Sequence, residues 1–199
     1  MQKKKGIVVI VAVILVVIVG WVWSSNRKVD VLKGYDLNWN AYRWKVNQTI
    51  SAEGFGYDRK KFMVHISDLI ADKVGLDESI KKELTNDLTV TRIKRGDTAQ
   101  KYLEEHKNSL SSDQKEKLKK YQKYISQLKI KIRLNGKLIN PEDDRANFDG
   151  GVSTTARDRY TIKNGDKITL EIIPGKDSII KKDSVNTTIK GLSGKFSKN

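Results

Sequence analysis

Polar and apolar positions change their period several times along the 199 residues. The first segment has no period at all. From Gly6 to Trp23, GIVVIVAVILVVIVGWVW carries no charge over eighteen residues. As a helix at ~1.5 Å per residue that run spans ~27 Å, close to the ~30 Å hydrocarbon core of a bilayer. The pattern predicts a transmembrane helix over residues 6–25, embedded in the lipid bilayer, with Trp21 and Trp23 at the membrane–water interface. A cleaved signal peptide is the alternative, but its apolar region is usually ~7–15 residues and ends at a small-residue site. Here the exit reads Gly20-Trp21-Val22-Trp23-Ser24-Ser25. Lys3, Lys4 and Lys5 outweigh Arg27 and Lys28, which favours a cytoplasmic N-terminus for residues 1–5. Residues 29–199 are then expected outside the cytoplasm.

Beyond the apolar run the period alternates between two and 3.6. Val29 and Val31 alternate with Asp30 and Leu32, Gly34-Tyr35-Asp36 turns, and Tyr42, Trp44 and Val46 alternate with Arg43 and Lys45. These predict strands, with Asn38-Trp39-Asn40 as a loop between them. From Asp58 the period lengthens. Phe62, Ile66, Leu69, Ile70 and Val74 define one helix face, with Asp58 as N-cap and Gly75 as stop. LDESIKKELTND predicts a second helix, and LTVTRIK a strand to Lys94. Asp97, with Gln100 three residues on, has the form of a capping box. Two charged helices follow to Gln127, the later one started by Ser111 or Ser112 and buried along Leu118, Tyr121, Ile125 and Leu128. Alternation returns in LKIKIRLNGKLI, with Asn135-Gly136 as a hairpin turn. RYTIKNGDKITLEIIPG predicts a further strand pair, and VNTTIKGL a last strand.

Charge adds a partner class. Lys and Arg number 39 against 24 Asp and Glu, a net charge of +15. Residues 1–28 hold five of the basic residues and none of the acidic ones, so the remainder carries 34 against 24, or +10. A basic domain beside a membrane attracts polyanions: anionic lipid, a wall polymer, or nucleic acid. The most basic stretch is the last helix, where Lys115, Lys117, Lys119, Lys120 and Lys123 surround the apolar stripe. They form the candidate polyanion-binding face, weighed against a simple solvated surface. Trp39, Tyr42 and Trp44 are candidate aromatic contacts for a sugar or a base, weighed against a core-facing row.

Candidate chemistry is sparse. There is no Cys, which excludes thiolate ligands, disulfides and a lipoprotein anchor. His65 and His106 stand alone, and P-loop, HExxH, GxSxG and Rossmann patterns are absent. In NPEDDRANFDGG, Asn147, Asp149 and Gly150 match late positions of a calcium loop. Arg145 occupies the place of its first Asp and Ala156 that of its Glu. No cofactor, metal or catalytic residue is assigned. A carboxylate pair acting on wall glycan is kept as an enzymatic alternative.

Two terminal stretches carry a resemblance. VDVLKGYDLNWNAYRW is similar to the opening strand and Gly-Tyr-Asp turn of an extracellular Ig-like module. YTIKNGDKITLEI, followed by TTIKGL, is similar to its closing strands. The resemblance is to membrane-anchored envelope proteins of Gram-positive bacteria, the YvbJ/TcaA-like group. Their zinc ribbon has no counterpart in a chain without Cys. The resemblance implies an envelope location and a non-catalytic role. The expected fold is therefore α+β: an N-terminal transmembrane helix, then a β-rich, Ig-like extracytoplasmic domain over 29–199, with a helical insertion at about 54–127. The expected function is a single-pass, membrane-anchored binding module for an anionic envelope polymer or a partner protein. A surface nucleic-acid-binding protein is the alternative.

Overall fold

The computed structural model describes residues 27–45, 51–86, 96–139, 151–153 and 162–193. Several expectations lie outside them: the apolar run with Trp21 and Trp23, the strand to Lys94, and the acidic loop at 140–150. Two strands open the fold, β1 (Asn40–Lys45) and β2 (Ser51–Gly56). Four helices follow: α1 (Arg59–Val74), α2 (Glu78–Asn86), α3 (Asp97–Glu105) and α4 (Ser112–Ser126). Then come β3 (Lys129–Leu134), β4 (Lys137–Ile139), β5 (Gly151–Ser153), β6 (Lys167–Ile173) and β7 (Asp183–Thr188). The strands form two antiparallel sheets, a three-stranded one ordered β1-β2-β5 and a four-stranded one ordered β4-β3-β6-β7.

The expected fold class is corrected on these residues. They form an α+β fold with four helices and two separate sheets rather than one Ig-like sandwich. No helix among the described residues is long and apolar enough to cross a membrane. The longest, α1, has 16 residues and carries Lys61, Asp68 and Asp72 along its length. A spanning helix needs ~20 predominantly apolar residues. The opening segment is not an Ig-like first strand either. Asp30 Oδ1 accepts from the backbone N–H groups of Leu32 and Lys33 (3.3 and 3.1 Å), which turns the chain at once. Val29 keeps only an isolated parallel bridge to Ile180.

Local signals explain the helices. The Asp58 carboxylate caps α1 by accepting from Lys61 N–H at 2.9 Å, and Gly75 ends it in the left-handed conformation (φ 76°). Ser111 and Gln114 close a capping box on α4, at 3.1 and 3.0 Å. At α3 the expectation fails. Gly96 is the N-cap, Asp97 is already helical, and the Gln100 amide donates to Glu104 instead (3.1 Å). The α4 stripe of Leu118, Tyr121 and Ile125, with Leu128 just past the helix end, is buried as its spacing predicts, and so are Phe62, Ile66 and Ile70 of α1. Ser67 of α1 and Tyr121 of α4 share a buried 2.7 Å hydrogen bond. Burial pushes the Tyr121 phenol up to about 12, against the opposing pull of that bond.

The C-terminal segment joins the two sheets. In the turn ahead of β6, the Asn164 side chain donates to Leu192 O (2.9 Å) and accepts from Leu192 N–H (3.0 Å). The next N–H, that of Ser193, donates to both carboxylate oxygens of Glu53 on β2 (3.1 and 3.0 Å). The Ile-Lys-Gly-Leu stretch at 189–192 is thus a clasp between sheets rather than a continuing strand. Farther back, Lys181 Nζ donates to Asp30 Oδ2 at 2.9 Å and ties the opening turn to the chain ahead of β7. That bond holds the Asp30 carboxyl below its usual range.

Candidate functional site

The predicted lysines of α4 separate into two kinds. Lys117 pairs with Asp113 at 2.7 Å and Lys120 with Glu116 at 2.6 Å, both one helical turn back. Those hydrogen bonds raise both ammonium pKa values. Lys115, Lys119 and Lys123 make no ion pair among the described residues; Lys119 and Lys123 are exposed and Lys115 is half-buried. Among the described residues the helix therefore offers three unpaired cations, not five.

Two of the three predicted aromatic contacts, Trp39 and Tyr42, are half-buried. Trp39 is half-buried, stacked on Phe55 (ring centroids 5.8 Å) and edge-on to Tyr57 (4.9 Å). Its indole Nε1 is buried without a hydrogen-bond partner. Tyr42 stands directly across the ladder from Gly54, and its ring fills the space where a side chain at 54 would be: an added Cβ would lie 2.5 Å from Tyr42 Cζ. Trp44 pairs with Ala52 in β1; its side chain lies outside the described residues. Trp39 and Tyr42 are spent on packing the three-stranded sheet.

Both histidines are likewise engaged. His65 donates from Nε2 to Val31 O (3.2 Å) and stacks on Tyr35 at 4.1 Å. His106 closes α3 and stacks on Tyr102 at 4.3 Å. No group of His, Asp and Glu fit to hold a metal occurs among the described residues.

A second cationic surface is one that sequence reading passed over. In the four-stranded sheet Ile132, Leu134, Ile168, Leu170 and Ile172 point into the core. The alternate positions point the other way and stay partly or fully exposed. On that open face β3 presents Lys129, Lys131 and Arg133, and β6 presents Lys167. The single acid among them, Glu171, is taken by Arg133 Nε at 2.7 Å. Lys129, Lys131 and Lys167 make no ion pair among the described residues. The signal was present as the alternation of LKIKIRL, which announces a half-buried strand and says nothing of what its neighbours add.

No family model, no curated protein and no solved structure matches the chain.

Proposed function

We propose that this is a non-catalytic binding protein attached to a membrane, which engages an anionic polymer of the cell envelope outside the cytoplasm. The observation that carries the reading is the positive charge left unneutralised on the folded surface. Lys115, Lys119 and Lys123 on α4, and Lys129, Lys131 and Lys167 on the sheet, have no acidic partner among the described residues. Evenly mixed surfaces pair or intersperse opposite charges; here α4 and the sheet each present three cations with no ion pair among the described residues. It attracts a polyanion over distances set by the Debye length, ~8 Å at physiological salt. The engaged state of His65 and His106 supports a binding rather than a catalytic role. The uncharged run at 6–23 supports membrane attachment.

The test uses the full-length chain in non-ionic detergent with poly(glycerol phosphate) and, as control, uncharged dextran. Binding to the polyphosphate that weakens steeply with salt, with none to dextran, is expected. Equal retention of both polymers, or of neither, would overturn the reading. Protease shaving of intact cells addresses location: the folded part is expected to be lost without lysis, and protection until lysis contradicts it.

A further inference from the structure

We infer that the open face of the four-stranded sheet, rather than α4, is the binding track, and that its ligand is a linear polyol-phosphate polymer. The inference rests on the reading that the protein binds an anionic envelope polymer, and it assigns the site and the chemistry.

The sheet offers cations in a straight row, beside a row of uncharged polar side chains on β7. Along a strand, every second side chain faces the same way, so Lys129 and Lys131 recur at ~6.8 Å and Arg133, held by Glu171 from opposite Lys131, continues the row. A phosphodiester chain with a short polyol between phosphates repeats its charge at a comparable interval, so one extended polymer can meet successive cations in register. Lys167, opposite Asn135 on the adjacent strand, extends that row one step beyond Arg133 and pairs with Thr188 on its other side. On α4 the free lysines at 115, 119 and 123 are spaced for one helix face. Lys117 and Lys120 beside them are paired with Asp113 and Glu116, as Arg133 is with Glu171 on the sheet.

The uncharged residues of the face select the polymer. Thr169 Oγ1 donates to Asn186 Oδ1 at 2.6 Å, which fixes the Asn186 amide on the surface. Its Nδ2 has no partner among the described residues, so two donors are presented to a polyol hydroxyl or a phosphate oxygen. Ser184 and Thr188 flank it on β7. Surfaces for single-stranded nucleic acid combine cations with aromatic rings on which bases stack. None of β3, β4, β6 or β7 contains an aromatic residue. A cationic, hydroxyl- and amide-bearing, ring-free face matches a polymer of phosphates and polyols, with no bases to stack.

The experiment compares three full-length chains in non-ionic detergent for binding to poly(glycerol phosphate) across a salt series. One is unaltered, one carries Lys129→Ser, Lys131→Ser and Lys167→Ser, and one carries Lys115→Ser, Lys119→Ser and Lys123→Ser. The sheet variant should bind about tenfold or more weakly at moderate salt. Its slope of log K against log salt should fall by about 2, at ~0.7 per phosphate contact. The helix variant should lose less than about threefold and keep its slope. Asn186→Ala should weaken binding with the slope unchanged, the signature of an uncharged contact. Equal losses in the two triple variants, or a loss confined to the helix variant, overturn the sheet assignment and leave the proposed function standing. Failure of the unaltered chain to bind the polymer overturns both. Single-stranded DNA of equal charge should compete poorly; tighter binding of the DNA to this face overturns the polymer class. Far-ultraviolet circular dichroism and melting of each variant confirm that all are folded.

Discussion

The two sheets are built from the same local geometry and differ in what covers them. In the four-stranded sheet one face is core and the other is open, so β6 alternates strictly between buried and accessible residues. In the three-stranded sheet the central strand is covered on both sides: Glu53, Gly54, Phe55 and Gly56 are all buried. One face takes the Tyr42 ring over Gly54. The other holds a carboxylate, Glu53, only 2 % exposed, between the Arg43 guanidinium (2.7 Å) and the Ser193 N–H. Burial pushes the Glu53 carboxyl up, but the hydrogen bonds from Ser193 and Arg43 outweigh it, and the group titrates below its usual range. A half-covered sheet leaves one face free to evolve a binding function. A strand covered on both sides commits its positions to packing or pairing, and its polar residues become structural.

That contrast can be broken or sharpened by substitution in the full-length chain, read by denaturant melting. The largest loss is expected on the core face of the four-stranded sheet. Leu170 is fully buried, and Leu170→Ala should cost about 3 kcal/mol through lost burial and the cavity left behind. Next comes Glu53→Gln, at about 2 kcal/mol, since a buried acceptor of charge-assisted bonds is replaced by an amide that mismatches one donor. This change also carries a pH signature. The Glu53 carboxyl titrates lower in the folded than in the unfolded chain. Its contribution is therefore complete above the ordinary Glu range, near ~4.3, and is lost as pH falls through the depressed folded value. The substituted chain should show a shallower acid-induced loss of stability; an unchanged acid limb would remove Glu53 from the account. Gly54→Ala should cost about 1 kcal/mol, because the added Cβ displaces the Tyr42 ring. Tyr42→Ala in the same chain should reduce that increment, measured as a double-mutant cycle. Smallest is Lys131→Ala on the open face, within about 0.5 kcal/mol of zero. A larger loss there would mean that the face is not open.

The same difference decided what could be read in advance. Alternation in LKIKIRL and DKITLEI was legible because water on one face forces every second residue to be polar, and Asn135-Gly136 marked the hairpin between β3 and β4. The helix stripes of α1 and α4 were legible for the same reason, and their caps at Asp58, Gly75 and Ser111 act locally. Strand β2 was not legible. SAEGFG reads as a poor strand, with two glycines and a charge, because the groups that complete it come from elsewhere in the chain: Tyr42 from β1, Ser193 from the far terminus. The candidate lysines of α4 could be found as a charge run, but only the folded helix shows which two are neutralised by Asp113 and Glu116.

By itself the sequence determined the elements with a wet side, their caps and turns, the surplus of positive charge and the absence of thiol chemistry. Each of these follows from a residue and its near neighbours meeting water. Only the tertiary structure decided that the strands separate into two sheets, that residues 189–193 clasp them together, and that Lys129, Lys131 and Lys167 share an uncovered face. Those outcomes depend on which distant segments pair and on which surfaces they leave exposed. That is settled by the whole chain burying its apolar area at once.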